Sequence, residues 1–347
     1  MSTNWETADI LKTPMQICWQ FDYAIDAVKL KTLYSKAKKY QWDAEQDIDW
    51  EISVDPSKPI MGQDAMGMNN VPLIKKLSAS QQDKLQAHLA AHQLSQIVHG
   101  EQGALMTAAA LTHAVPDYQG KLYAATQTMD EARHVEVFEM YVRKLAIVYP
   151  MGKLLKELID VTLTADHWVK IAVGMNMVVE GLALGTFHNV MTVTQCDLLR
   201  QIMKGVLRDE SRHVAFGNVY VSMAIEEMHQ DDREDMADFA FDAVKMMRDS
   251  RRRGAAPEEP FLMVLDNCDI DRTDSFKSVA ELFSSGQKFE LPRDQVHAFK
   301  HLMMPALVRV GAVTDRARKR YEEEGIPVWE DRTTLEKFEN DNPDMLS

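Results

Sequence analysis

Cysteine is scarce and poorly placed for covalent work. Cys18, Cys196 and Cys268 form an odd, widely spaced set without a Cys-x-x-Cys pair, which excludes a disulfide framework and a rubredoxin-like iron site. Basic residues are outnumbered, 39 against 53 acidic, and the net charge of −14 argues against nucleic acid, whose phosphates need clustered Lys and Arg. No stretch approaches the roughly 18 uncharged apolar residues of a membrane span. The first residues, with Trp5, Glu6 and Asp9, lack the basic-then-apolar pattern of a secretory leader, so a cytoplasmic location is expected. Low-complexity stretches are missing too. Methionine, by contrast, is plentiful at 22 residues, and reads as malleable core filler.

Between 80 and 250 there is little Gly or Pro, and Val and Ile recur at three- and four-residue spacings instead of alternating. That pattern reads as helix, and the expected fold class is all-α. A first helix is expected over about 17–40, then an irregular stretch from Gln41 to Ser80 punctuated by Pro56, Pro59, Gly62, Gly67 and Pro72, with Met66 and Met68 over the bundle. Four long helices follow: one capped by Ser80 and ending near Val115, one over about 117–148, one over about 165–192, and one from Asp197, as cap, to about 229. Further helices are expected near 231–252 and 294–324, the last kinked at Pro305. No linker interrupts the chain. Residues 1–347 read as one domain, with a core bundle over about 80–230, a helix and covering segment over 1–79, and flanking helices over 231–347.

Two segments of this core repeat at an offset of 79 residues. Glu101, Glu131 and His134 fall in register with Glu180, Glu210 and His213, and Asp130-Glu131-Ala132-Arg133-His134-Val135 reads against Asp209-Glu210-Ser211-Arg212-His213-Val214. Seven residues past each histidine stands a tyrosine, Tyr141 and Tyr220. Glu101 and Glu131 lie 30 residues apart about Pro116, and Glu180 and Glu210 lie 30 apart about Gln195, both within predicted turns. In an antiparallel hairpin such residues sit level, roughly 20 Å from the turn at ~1.5 Å rise per residue. Within each second helix, Glu and His at i, i+3 share a face.

The glutamates interrupt apolar stripes. Ile97, Val98, Leu105 and Ala108 flank Glu101; Met177, Leu184 and Phe187 flank Glu180; Val135 and Phe138 flank Glu131; Val206, Leu207 and Val214 flank Glu210. Four carboxylates facing one another away from water would raise each other's pKa at a cost of several kcal/mol, and two divalent cations would supply the compensating charge. One Glu from each of two helices and Glu-x-x-His from each of the other two is a known way for bundles to hold two iron or manganese ions. Oxygen-rich ligation with one imidazole per metal favours those ions over zinc. A single Glu-x-x-His would be weak grounds; two copies with matching upstream glutamates are strong. Asp130 and Asp209 can take the second ring proton of a ligating histidine, on their own helix or on the facing one. The competing reading makes them solvated partners of Arg133 and Arg212. His92, His99, His113, His167 and His188 read as surface or satisfied core residues.

With these motifs the chain resembles the ferritin-like carboxylate-bridged di-iron superfamily, over roughly 80–230. Its larger members include bacterial multicomponent monooxygenases, the ribonucleotide reductase small subunit and related oxidases, acyl-carrier-protein desaturases and arylamine N-oxygenases. The resemblance implies metal ligation by Glu101, Glu131, His134, Glu180, Glu210 and His213, with supporting roles for Asp130 and Asp209. It implies two iron ions, or one manganese and one iron, reacting with dioxygen on electrons from a ferredoxin or reductase, and it is compatible with a homodimer. The subfamily patterns differ at three places. The reductase subunit's radical tyrosine position is Phe138, the monooxygenases' threonine position is Leu184, and the extra histidine of arylamine N-oxygenases is Val206.

The expected activity is oxidation of a small apolar or aromatic organic substrate, by hydroxylation or N-oxygenation. A desaturase, a reductase-like oxidase and a ferroxidase are the alternatives; ferritins are about half this length, and the added helices argue for a covered active site. Ala104, Thr107, Phe138, Met177, Leu184, Phe187 and Phe216, one turn from the ligands, are candidates to line the pocket, though any one of them alone also reads as plain bundle core.

Overall fold

The computed structural model describes residues 9–24, 27–60, 71–249, 257–284 and 295–341, and every regular element among them is a helix. In chain order these are α1 (Val28–Lys39), α2 (Ala79–Ala114), α3 (Tyr118–Leu145) and α4 (Lys153–Leu163). A long helix, Trp168–Val193, comes next: α5 (Trp168–Ala172), a π-helical stretch (Val173–Val179) and α6 (Glu180–Val193). Then come α7 (Asp197–Glu227), α8 (Gln230–Asp249), α9 (Glu259–Asn267) and α10 (Arg272–Ser284). The chain ends with a π turn (Phe299–Met303), α11 (Met304–Val310), α12 (Asp315–Glu323) and α13 (Thr333–Asp341). The expected all-α class holds.

Two antiparallel hairpins, α2–α3 and α5–α6 with α7, form the centre; α1 lies against α3 and α7, α4 against α2 and α8, and α9 against α2. Trp168–Val193 is long and apolar enough to cross a membrane, but its most apolar window is 83% buried by the rest of the chain. It is the core helix of the bundle, which explains its composition.

The α2 start lies two residues before the expected cap: Ser78 Oγ accepts from Gln81 N–H at 3.4 Å while Gln81 Oε1 accepts from Ser78 N–H at 3.0 Å. This reciprocal box satisfies two otherwise orphaned donors. Asp197 is the first helical residue of α7 instead of its cap, where its charge suits the positive helix end.

Two expected helices are shorter. Residues 17–24 form no regular element, with Cys18 N–H donating to His113 O at 2.8 Å. The bulky residues there, Ile17, Trp19, Phe21 and Tyr23, recur every second position, a strand-like spacing that cannot present one helical face. The predicted 294–324 helix, whose first residue lies outside the described ones, is two helices. Gly311 at φ +84° ends α11, and Thr314 Oγ1 accepts from Ala317 N–H to start α12. Pro305 stands two residues after the π turn, inside one continuous helical run, so the departure from the α ladder that its missing N–H requires takes the form of that turn. Met66 and Met68 lie outside the described residues. α4, α9, α10 and α13 are the flanking helices not individually predicted.

The hairpins meet closely where α7 crosses the π stretch. A Cβ at Gly217 would lie 2.6 Å from Asn176 Cβ, so only glycine permits this approach. Gly217→Ala should therefore destabilise the protein by about 1–3 kcal/mol, read as a lower denaturant midpoint at unchanged slope.

Candidate metal centre

The structure brings Glu101 of α2, Glu131 and His134 of α3, Glu180 of α6, and Glu210 and His213 of α7 to one buried point midway along the bundle; each is at most 5% exposed. His134 Nδ1 lies 3.2 Å from Glu101, 3.3 Å from Glu131 and 3.1 Å from Glu210. His213 Nδ1 lies 3.0 Å from Glu131 and 3.7 Å from Glu210. Two overlapping donor groups result: Glu101, Glu131, His134 and Glu210 on one side, and Glu131, Glu180 and His213 on the other, each with its ligand atoms within 4.8 Å of one another. Glu131 is common to both. Glu131 Oε2, Glu210 Oε2 and His213 Nδ1 are buried without an aligned hydrogen bond, although His213 Nδ1 and His134 Nδ1 both stand close to the Glu131 carboxylate. Buried polar atoms are rarely left so, and oxygens and imidazole nitrogens converging in this way suit two hard or borderline divalent ions.

Behind the histidines the supports cross between helices. His134 Nε2 faces Asp209 of α7 and His213 Nε2 faces Asp130 of α3, both at 3.3 Å. The facing-helix alternative is therefore the observed one. Each ring turns Nδ1 to the carboxylate cluster and gives Nε2–H to an aspartate, which orients it and raises its basicity. Arg133 donates to Asp130 and to Asp209 at 2.9 Å, and Arg212 donates to Asp209 and to Asp130 at 3.5 Å. These four side chains are at most 4% exposed, so the reading of Asp130 and Asp209 as solvated pairs does not hold.

The chain after α1 seals this layer. Gln41 donates to Asp130 at 2.8 Å and accepts from Arg133, Trp42 Nε1 donates to Asp209 at 2.7 Å, and the Arg133 guanidinium lies over the Trp42 ring. On the other side, Gln127 donates to Glu131 at 3.1 Å and to Glu180 at 2.8 Å, while Asn176 donates to Glu180 at 2.9 Å and to Gln127 at 3.1 Å. These four residues were not anticipated. Gln127 and Asn176 were findable, because each stands four residues before a glutamate and so on its helical face. Gln41 and Trp42 come from a distant segment without a local signal.

A cavity of about 610 Å³ opens onto the cluster. Its floor includes Glu101, Glu180 and Glu210, and its walls come from α2, α4, α6, α8 and the start of α9. Of the residues proposed for a pocket, Ala104 and Phe187 line it. Thr107, Phe138, Met177, Leu184 and Phe216 are buried in the packed core instead. His92, read as surface or core, also lines the cavity. His99 bonds the Tyr149 carbonyl at 2.9 Å and His167 caps α5.

Burial and crowding set the charges. Burial, with the neighbouring Glu131 and Glu210 charges, holds Glu180 and Glu101 well above the usual carboxylate range. For His134 and His213 burial alone would favour the neutral ring, but the carboxylates and crossed aspartates win and hold both well above 6.5. Glu131, despite burial, is pulled down by His213 and His134, and Asp209 by His134 and the arginines. Without metal, protons on the imidazoles and on two glutamates thus stand where cations would.

The linkage has a definite sign. The raised histidines contribute stability fully below 6.5 and lose it as pH rises through their folded values. The raised glutamates likewise destabilise the fold progressively above 4.5, where the unfolded chain has already ionised. Asp209 acts only at the acid end, where its contribution is lost as pH falls. Metal-free protein should therefore melt at a lower temperature at about pH 8 than at about pH 6, and the increment in melting temperature on adding Fe(II) should widen over the same range. A metal increment independent of pH would contradict this charge assignment.

Residues 26–266 match the family model described as P-aminobenzoate N-oxygenase AurF. Val206, where arylamine N-oxygenases carry a further histidine, is fully buried in the apolar core, so this chain meets the family pattern without that imidazole. Among solved structures, the chain is similar to an R2-like ligand-binding oxidase with aerobically reconstituted Mn/Fe cofactor (16% identity, 87% of this chain and 97% of that chain, TM-score 0.43). The same oxidase after photoconversion gives 14% identity, 87% and 98% coverage and a TM-score of 0.45. A variant of it gives 16%, 84% and 99%, and 0.48. No curated protein matches. The family match spans more than half of the chain and includes the whole buried cluster, so the protein belongs to the P-aminobenzoate N-oxygenase AurF family and is a non-haem di-metal oxygenase or oxidase.

Proposed function

We propose that this enzyme inserts oxygen from dioxygen into a small aromatic or apolar organic molecule, with an arylamine as the first substrate class to test. The observation that carries this reading is the cavity of about 610 Å³ whose floor is the carboxylate cluster. Its size suits a small organic ligand, and an iron-storage role would have no use for it.

In this reading Glu101, Glu131, His134 and Glu210 would hold one iron and Glu131, Glu180 and His213 the other. A manganese ion in one position is the alternative. Bound there, the two ions supply the electrons and Lewis acidity for dioxygen reduction. The protein's own share is positional. Asp130 and Asp209 fix the imidazole tautomers, and Gln127 and Asn176 hold Glu180 in place. Glu101 has no amide of this kind, which leaves its carboxylate free to shift when an organic molecule occupies the cavity. Ile97, Ala104, Leu155, Leu158 and Phe187 keep bulk water off the reacting face.

The remaining parts of the reading are a single domain over 1–347, a cytoplasmic location, a ferredoxin or reductase as electron donor, and a homodimer as the assembly to look for.

Glu131→Ala and His213→Ala should each lose iron and the near-ultraviolet band of the oxidised centre, with unchanged helical circular dichroism. Two irons per chain retained in both would overturn the ligand set. Ala183→Phe, which fills the cavity away from the ligands, should keep both irons and lose turnover of a panel of arylamines by about tenfold or more. Undiminished turnover would mean that the substrate binds elsewhere.

A further inference from the structure

The repeat carries one pair of residues that the metal cluster does not use, the tyrosines seven positions past each histidine. Their surroundings differ. Tyr141 donates to the Pro59 carbonyl at 2.5 Å and to Cys196 Sγ at 3.2 Å; neither is a base. Tyr220 donates to the carboxylate of Asp117 at 2.5 Å, and its oxygen also lies 3.5 Å from the Asp117 backbone N–H as acceptor. The site is built for this contact: a Cβ at Gly120 would fall 2.9 Å from the Tyr220 hydroxyl.

Tyr220 also sits in a continuous aromatic column. Trp168, half-buried at the start of α5, stacks on Tyr220 with ring centroids 4.6 Å apart. Tyr220 meets Phe216 at 5.2 Å, and Phe216 stacks on Tyr123 at 4.5 Å. Tyr123 is fully buried and its hydroxyl has no partner; it stands one helical turn before Gln127, which donates to Glu131 and Glu180, as Phe216 stands one turn after His213. The column therefore runs from the surface to the metal cluster. Three aromatic residues in four are oxidisable, and the other bridges two of them in van der Waals contact.

We propose that Trp168, Tyr220, Phe216 and Tyr123 form a one-electron path between the protein surface and the dioxygen-reacting centre, with Asp117 as proton acceptor for Tyr220. The inference rests on the reading of the buried cluster as that centre. In the step at Tyr220 the phenolic O–H bond breaks and the proton passes to Asp117 Oδ2. The electron crosses Phe216 and Tyr123 to the centre previously oxidised by dioxygen, which is thereby reduced by one equivalent. An electron from an external one-electron donor then enters at Trp168, and Asp117 returns the proton. Where substrate is missing, this path drains oxidising equivalents that would otherwise attack the cavity walls; with a donor protein docked at Trp168, it delivers electrons.

The test is flash oxidation of the iron-loaded, oxidised enzyme by a photogenerated one-electron oxidant in solution, following tryptophan-radical decay and phenoxyl-radical growth by absorption. Wild-type protein should convert one radical into the other. Tyr220→Phe should lose the phenoxyl signal, Trp168→Phe should lose the tryptophan signal that feeds it, and Asp117→Asn should slow the conversion and remove its solvent isotope effect. Tyr141→Phe should behave as wild type. Iron content and circular dichroism verify that each variant is folded. Equal phenoxyl yield in wild type, Trp168→Phe and Tyr220→Phe would overturn the path, as would an equal loss in Tyr141→Phe. No dioxygen turnover enters this measurement, so its failure leaves the oxygenase reading intact, whereas a variantless enzyme that binds no iron removes that reading first.

Discussion

Four glutamates crowded at one buried point, each at most 5% exposed, are the constraint around which the rest of this molecule is arranged. Carboxylates in that position either take up protons or face positive charge. Both happen here: Glu101 and Glu180 are pushed toward their protonated forms, while Glu131 is held ionised by two imidazolium rings. Those rings are in turn held by aspartates and the aspartates by buried arginines. Each layer of charge requires the next, until the series ends at Trp42 and Gln41 on the outside of the bundle. A core this polar persists because most of its polar atoms are partnered; of those that are not, Glu131 Oε2, Glu210 Oε2 and His213 Nδ1 lie in the donor cluster, and Arg133 Nε, Arg212 Nε and Asn176 Oδ1 lie around it.

The internal repeat is symmetric in its ligands and asymmetric in everything that distinguishes one ligand from another. Four residues before each glutamate stand Ile97, Gln127, Asn176 and Val206. The two amides converge on Glu180, while the two aliphatic residues leave Glu101 and Glu210 without such support. The cavity touches all three of these glutamates, but only Glu101 is both unsupported by an amide and flanked by the wall of α2. The tyrosines break the symmetry in the same sense, one beside a carboxylate and the other beside a carbonyl and a thiol. The repeat supplies a frame that could hold two ions, and the differences between its copies make the two sides of that frame unlike.

Much of this was legible from residue spacing, because helix period and hairpin symmetry convert sequence distance directly into position. Equal separations about Pro116 and Gln195 place two pairs of glutamates level, and the α2–α3 and α6–α7 turns do fall at those points. Helix ends were less legible. Ser78 rather than Ser80 caps α2 because the reciprocal partner Gln81 lies three residues on from the former. The arm over 17–24 is apolar, but its bulky residues recur with a period of two, which gives a helix no apolar face. The cavity walls from α8 and α9, and the lid residues Gln41 and Trp42, depend on which distant segments pack together. No local pattern carries that information.

Among the described residues the cavity opens onto the cluster on one side, and Trp42, Gln41 and the arginines close the opposite side. Iron, dioxygen and the organic reactant must then share a doorway once the chain has folded. A molecule lodged there acts as a stopper, slowing the escape of the ions beneath it just as it slows the arrival of new ones. Cofactor retention and substrate occupancy become a single property of the same opening, and an idle enzyme is the one most exposed to chelators.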